Sequence, residues 1–218
     1  QHTPPAWRKG SCMWDLLAPN VETFCVVRHP FLRAISEFGW MYQVLYESWG
    51  MAETSCREQS KCNVHGMNSC LQDLVNRSMN GDPYVEDCHF LGQSKYIWDE
   101  TGRKYCDHIL RLEDLPESFD RLMEDKGLPM RLRSYRTRHN STCKLRVEDL
   151  SQATKQLLLQ AYSDDFVWLD YMSATAFEQL RRKGVADRSD EGAEETDFFI
   201  EEELPDRPGE SIRMEAPF

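Results

Sequence analysis

No basic surplus marks this chain. Its 218 residues carry a formal net charge of -11, which argues against a nucleic-acid binder, whose affinity rests on a basic face. No apolar run approaches the roughly 18 residues of a membrane span. None of the eight cysteines forms a Cys-x-x-Cys pair, which argues against a zinc ribbon or a thioredoxin-type site. No Gly-x-x-x-x-Gly-Lys-Ser/Thr loop is present, which removes the phosphate cradle of a nucleotide kinase.

What is present is unevenly spread. Val185–Phe218 holds twelve Asp and Glu against three Arg, a net of -9, and the remainder is nearly neutral, with 25 acidic and 23 basic residues. The acidic tail, punctuated by Gly and Pro, is expected to be disordered. Three parts follow: an irregular segment 1–20, an α/β domain 21–184 and the tail 185–218. The cysteine number is even and suits an oxidising lumen, with reduced structural thiols as the other reading. Cys25 lies inside an apolar run and reads as a buried free thiol. Connectivity stays open; Cys62 with Cys88 is the one pairing put forward.

The informative stretch is Val26-Val27-Arg28-His29-Pro30-Phe31-Leu32-Arg33-Ala34-Ile35-Ser36-Glu37-Phe38. Thr23–Val27 is β-branched and apolar and predicts a strand. Pro30 suits the first turn of a helix. Phe31, Ala34, Ile35 and Phe38 then recur at helical spacing, predicting a helix to about Trp49, where Gly50 stops it. Arg28 therefore stands at a strand's carboxyl end, where α/β sheets bind ligands. Ser36 stands about two turns into the helix. An Arg fork with a nearby hydroxyl suits a phosphate; a salt-bridged Arg and a solvated Ser are the alternative.

Arg-His-Pro-Phe-x-Arg-x-x-Ser-Glu-Phe resembles the 3′-phosphate-binding motif of the Golgi-type carbohydrate sulfotransferases, related to heparan 2-O- and chondroitin 4-O-sulfotransferases. The resemblance implies that Arg28 and Ser36 hold the 3′-phosphate of the donor, 3′-phosphoadenosine 5′-phosphosulfate. It implies a three-layer α/β fold with a mostly parallel central sheet flanked by helices. It also implies sulfonate transfer to a carbohydrate hydroxyl without a metal. Two later segments extend it. Cys88-His89-Phe90-Leu91-Gly92-Gln93 is similar to a His-Phe-x-Pro-Gln segment, with Gly92 in place of Pro. Tyr162-x-x-Asp-Asp-Phe-x-x-Leu-x-Tyr171 is similar to the family's closing segment and reads as core packing.

His89 is the candidate catalytic residue, as proton acceptor for a sugar hydroxyl; the other reading is a hydrogen-bonded residue beside the cleft. Glu113 reads either as a cleft residue or as a partner of Arg or backbone. The basic stretch Arg131–Arg146 reads either as the lining of an anionic-sugar groove or as a solvated loop. Asn76 and Asn140 open glycosylation sequons. Family members carry a strand and a Pro-Lys-x-Gly-Ser/Thr loop for the 5′-phosphosulfate far upstream of the Arg motif. Only Arg8-Lys9-Gly10-Ser11 shares any letters with that loop. The expectation is an N-terminally incomplete copy, lacking that strand, the loop and the membrane anchor of a Golgi enzyme. The alternative function is a non-catalytic relative or fragment that keeps the 3′-phosphate half-site and a glycan-binding groove.

Elsewhere, Asn68–Arg77 predicts a short helix and Tyr96–Asp99 a strand. Glu100–Arg103 predicts a turn and His108–Leu112 a second strand in a hairpin or neighbouring pair. A helix is predicted after Glu113, capped by Asp114, with Pro116 and Glu117 in its first turn. Ser151 should cap a helix whose Leu150, Ala153, Leu157, Leu158 and Ala161 share one face, and a last helix is predicted over about 174–183.

Overall fold

The computed structural model describes residues 3–7, 21–42, 56, 62–135, 143–186 and 211–213. Strand β1, Phe24–Val27, runs into helix α1, Pro30–Trp40. Pro30 opens the helix and the His29 imidazole caps it, accepting from the Phe31 N–H at 3.3 Å. Phe31, Ala34, Ile35 and Phe38 are buried as their spacing requires. A wider helical turn follows at 41–42, and the end expected near Trp49 lies outside the described residues.

Helix α2, Val64–Met79, is longer than the expected 68–77. The Asn63 side chain accepts from the Gly66 N–H at 2.8 Å and starts it. One-turn helix α3, Ser94–Ile97, stands where a strand over Tyr96–Asp99 was expected. The buried Asp165 carboxylate accepts from the Gln93 and Ser94 N–H groups at 2.7 and 2.8 Å. Those two bonds favour a helical turn over the strand propensity of Tyr96, Ile97 and Trp98. A single bridge, Trp98 to Lys104, and the Asp99–Arg103 turn remain of the expected hairpin.

Strand β2, His108–Arg111, pairs instead with β1, in parallel, Phe24 opposite His108 and Val27 opposite Arg111. Helix α4, Glu117–Asp125, begins later than expected and Asp114 does not cap it. Leu115 precedes a proline and is extended, so a 3₁₀ turn over Leu112–Asp114 ends before the helix starts. Gly127, at φ +66°, ends α4. Strand β3 is Arg133–Tyr135. Helix α5, Gln152–Ala161, is capped by Ser151, which accepts from the Thr154 N–H at 3.2 Å. Its buried face carries Thr154, Leu158 and Leu159, whereas Ala153 is exposed. Helices α6, Ser163–Trp168, and α7, Ala174–Ala186, complete the body. Strand β4, Ser211–Arg213, lies in the acidic tail and pairs antiparallel with β3; residues 187–210 and 214–218 lie outside the described residues.

The result is an α/β fold. Among the described residues its parallel sheet is the β1–β2 pair, smaller than the multi-stranded central sheet expected. The larger core joins α1, α2, α5, α6 and α7 through Phe31, Phe38, Met67, Leu71, Leu158 and Phe166. Each such side chain contributes about 1.5–3 kcal/mol on burial. A second cluster (Val27, Ile97, Cys106 and Leu169) covers one sheet face. Leu110 packs with Phe119 and Met123 of α4. No helix among the described residues is long and apolar enough to cross a membrane.

Among the described residues three disulfides hold these pieces: Cys25–Cys106, Cys56–Cys70 and Cys62–Cys143, with Cα separations of 5.7, 5.1 and 5.3 Å, within the span of such a bridge. Two expectations fall. Cys25 is bridged rather than free, because Cys106, in the segment leading into β2, lies beside it. Cys62 pairs with Cys143 rather than Cys88, whose thiol is buried and free. Cys12 lies outside the described residues.

Candidate functional site

The ends of β1 and β2 and the start of α1 build the site. The Gln93 side chain brackets the Arg28 peptide, its Oε1 accepting from the Arg28 N–H at 2.8 Å and its Nε2 donating to the Arg28 carbonyl at 2.7 Å. An amide side chain thus acts as one rung of a sheet and fixes where β1 ends. Gly92 makes room for this: a Cβ there would lie 3.1 Å from Asp165 Oδ1, the oxygen that holds Ser94 N–H.

Beyond that fixed peptide the Arg28 guanidinium is half-buried and makes no hydrogen bond or ion pair with a described residue. Burial pushes its pKa below the usual value, while Glu113 and then Glu37 oppose the shift. Glu113 is itself a backbone partner: Oε1 accepts from the His29 N–H at 2.8 Å and Oε2 from the Tyr171 hydroxyl at 3.2 Å. Burial first, then Glu113, push the Tyr171 phenol far up, so it stays a donor. The Arg111 guanidinium covers the Tyr171 ring at 4.9 Å and donates to the Asp170 carbonyl at 2.7 Å.

Ser36 is exposed on α1, one residue before Glu37. The Glu37 carboxylate lies 2.7 Å from His89 Nδ1, and the Trp40 ring stacks on the imidazole at 5.0 Å. Glu37 thereby links Arg28 and His89: it acts on the first through the field and on the second through a hydrogen bond. Arg33, one turn before Glu37, donates to the Leu91 and His89 carbonyls, each at 2.7 Å.

Arg28, Glu37, His89 and Glu113 therefore share one neighbourhood, while no contact joins the exposed Ser36 to it. The described residues of the basic stretch make other contacts or face outward. Arg131 folds back on the Leu128 and Met130 carbonyls, Lys144 and Arg146 are exposed, and 136–142 lies outside the described residues. Arg8–Ser11 lies outside them too. Sequence reasoning missed Glu37, Trp40 and Asp165. The i to i+4 spacing of Arg33 and Glu37 marked a common helix face, but nothing local pointed to His89. No group of three or more His, Cys, Asp or Glu among the described residues is placed to hold a metal ion.

A model of the sulfotransferase family matches residues 12–172, spanning every element from β1 to Tyr171. The chain belongs to the sulfotransferase family. No curated protein and no solved structure matches it. In this sulfotransferase-family chain the matched region includes Arg28, Ser36, Glu37, His89 and Glu113. The relation holds for the family at large rather than for a heparan or chondroitin branch.

Proposed function

We propose that this chain binds the adenosine-3′-phosphate half of 3′-phosphoadenosine 5′-phosphosulfate, with Arg28 gripping the 3′-phosphate and the Ser36 hydroxyl adding a neutral donor. One observation carries the reading. A half-buried guanidinium with no hydrogen bond or ion pair to a described residue stands where a strand hands over to a helix. Such a charge is costly to leave alone, and a phosphate supplies both the charge and the paired acceptors it lacks. Glu113 and Glu37 act on that guanidinium through their charge without an ion pair to it. The family relation supports a carbohydrate acceptor. The three disulfides suit a secretory compartment, such as the Golgi lumen.

The test is calorimetry on the full chain. Adenosine 3′,5′-bisphosphate should bind, adenosine 5′-monophosphate should bind at least tenfold more weakly, and Arg28→Ala should abolish the difference, a loss of about 1.4 kcal/mol or more. Equal binding of the two nucleotides would sink the reading. A second reading, sulfonate transfer to the carbohydrate, is favoured by the Glu37–His89 pair beside the same site.

A further inference from the structure

The sequon Asn76-Arg77-Ser78 lies in the last turn of α2. This helix buries Cys70, Leu71, Leu74 and Val75 against the core, and Asp73, Asn76 and Met79 are exposed. Their spacing puts those three on one outer face. The Asn76 amide makes no hydrogen bond with a described residue. Its neighbour Met79 leaves an apolar side chain 40 % exposed. A substituent on the Asn76 nitrogen therefore displaces no packing and shields that methionine. The three disulfides suit an oxidising lumen, the compartment in which Asn-linked sugars are attached. The second sequon, Asn140-Ser141-Thr142, lies outside the described residues. The fold also separates the two groups that define the Asn76 sequon. Successive residues of a helix turn by about 100°, so residues two apart point to different sides. Asn76 faces solvent, whereas Ser78 is half-buried and its hydroxyl donates to the Phe90 carbonyl at 3.2 Å. In an extended segment the same two side chains lie on one side. An enzyme that reads the amide and the hydroxyl together meets both only while the segment is extended.

We propose that Asn76 carries an N-linked oligosaccharide, added while its segment is extended and before α2 closes on Phe90. The co-substrate is an oligosaccharide on a lipid pyrophosphate, presented by a membrane-bound transferase. The Asn76 amide nitrogen forms a bond to the anomeric carbon of the first sugar while the bond from that carbon to the pyrophosphate oxygen breaks. The electron pair of the broken bond stays on the pyrophosphate, and the amide nitrogen gives one proton to the transferase's base. Folding then withdraws the site. The Cys56–Cys70 bridge fixes α2, and the Ser78 hydroxyl is taken up by Phe90. The finished protein keeps the glycan on the outer face of α2. The inference rests on the secretory compartment proposed above and not on Arg28.

The full chain is translated behind a cleavable signal sequence in the presence of microsomes. Chains protected from added protease are denatured and run before and after treatment with peptide N-glycosidase. Asn76→Gln and Ser78→Ala should each lose one glycosidase-sensitive mobility step relative to the unsubstituted chain, and Ser78→Thr should keep it. The chains are read denatured, so a variant that does not fold still reports. Glycosidase release should leave Asp at position 76 of the unsubstituted chain. The same mobility steps in Asn76→Gln as in the unsubstituted chain overturn the proposal. The order of events has its own test. A reductant present during translation keeps Cys56–Cys70 open and should raise the fraction modified at Asn76. The oxidised, folded chain offered to detergent-lysed microsomes should stay unmodified there. Modification of the folded chain as fast as of the unfolded one overturns the ordering. Calorimetry of Arg28→Ala is read independently, so failure of the nucleotide site and failure of the Asn76 site are told apart.

Discussion

The loop 88–94 and the carboxyl end of β1 both face α1, and each meets an arginine of the same short motif. Arg33 spends its guanidinium on two backbone carbonyls of the loop and adds a contact with the Tyr162 ring at 5.9 Å. Arg28 has its peptide locked by Gln93 but its guanidinium unengaged by any described residue. One arginine is a fastener for the loop. The other has its peptide fixed while its guanidinium makes no hydrogen bond to a described residue. Two arginines of one motif thus differ in their partners, and only the hydrogen bonds reveal which one fastens the loop.

Four measurements sharpen or break that contrast. The largest effect belongs to Asp165, which satisfies two N–H groups from a fully buried position, 0 % exposed. Asp165→Ala should cost about 3–4 kcal/mol in urea unfolding, because it orphans both donors. Arg33→Met should cost about 2 kcal/mol in the same assay, since two charge-assisted bonds to loop carbonyls go while the stem's packing stays. Arg28→Ala should change stability by less than about 1 kcal/mol, because no protein bond is lost. If Arg28→Ala proves as costly as Arg33→Met, the contrast fails.

The smallest effect lies at the other end of β1. Asp107 accepts from the Thr23 N–H at 2.7 Å and from its hydroxyl at 3.0 Å. These bonds hold the Asp107 carboxyl below the usual carboxylate range. A depressed folded-state pKa stabilises the fold above the ordinary Asp value, and that share vanishes as pH falls through the depressed one. The protection factor of the Thr23 amide, its rate relative to an unstructured amide at the same pH, should therefore fall in acid, and Asp107→Asn should flatten that dependence.

The parts legible in the sequence were those written in local pattern. β1 came from a β-branched apolar run and the buried face of α1 from helical spacing, the α5 cap from Ser151, and the closing core from Tyr162, Phe166, Leu169 and Tyr171. The family resemblance put forward Arg28 and His89, and both lie near Glu37 in the fold. What stayed hidden depends on residues far apart along the chain. Asp165 reorganises Gln93 and Ser94 from 72 and 71 positions away. Glu37 meets His89 across 52. The Cys25–Cys106 bridge spans 81, a pairing that no local pattern encodes. Pro116 shows a local rule competing with another: its effect on Leu115 outweighed the capping pattern that Asp114 and Glu117 suggested.

The overlap of two long covalent loops has a practical corollary. Cys25–Cys106 and Cys62–Cys143 interleave along the chain. A protease that severs the backbone once anywhere from Cys25 to Cys143 leaves both products tethered by at least one sulfur bridge. A nick in the Asp99–Arg103 turn leaves them tethered by two. Such a clipped molecule would migrate as one band until a thiol reagent was added, and Arg28 and His89 would travel together even after the peptide between them had been cut.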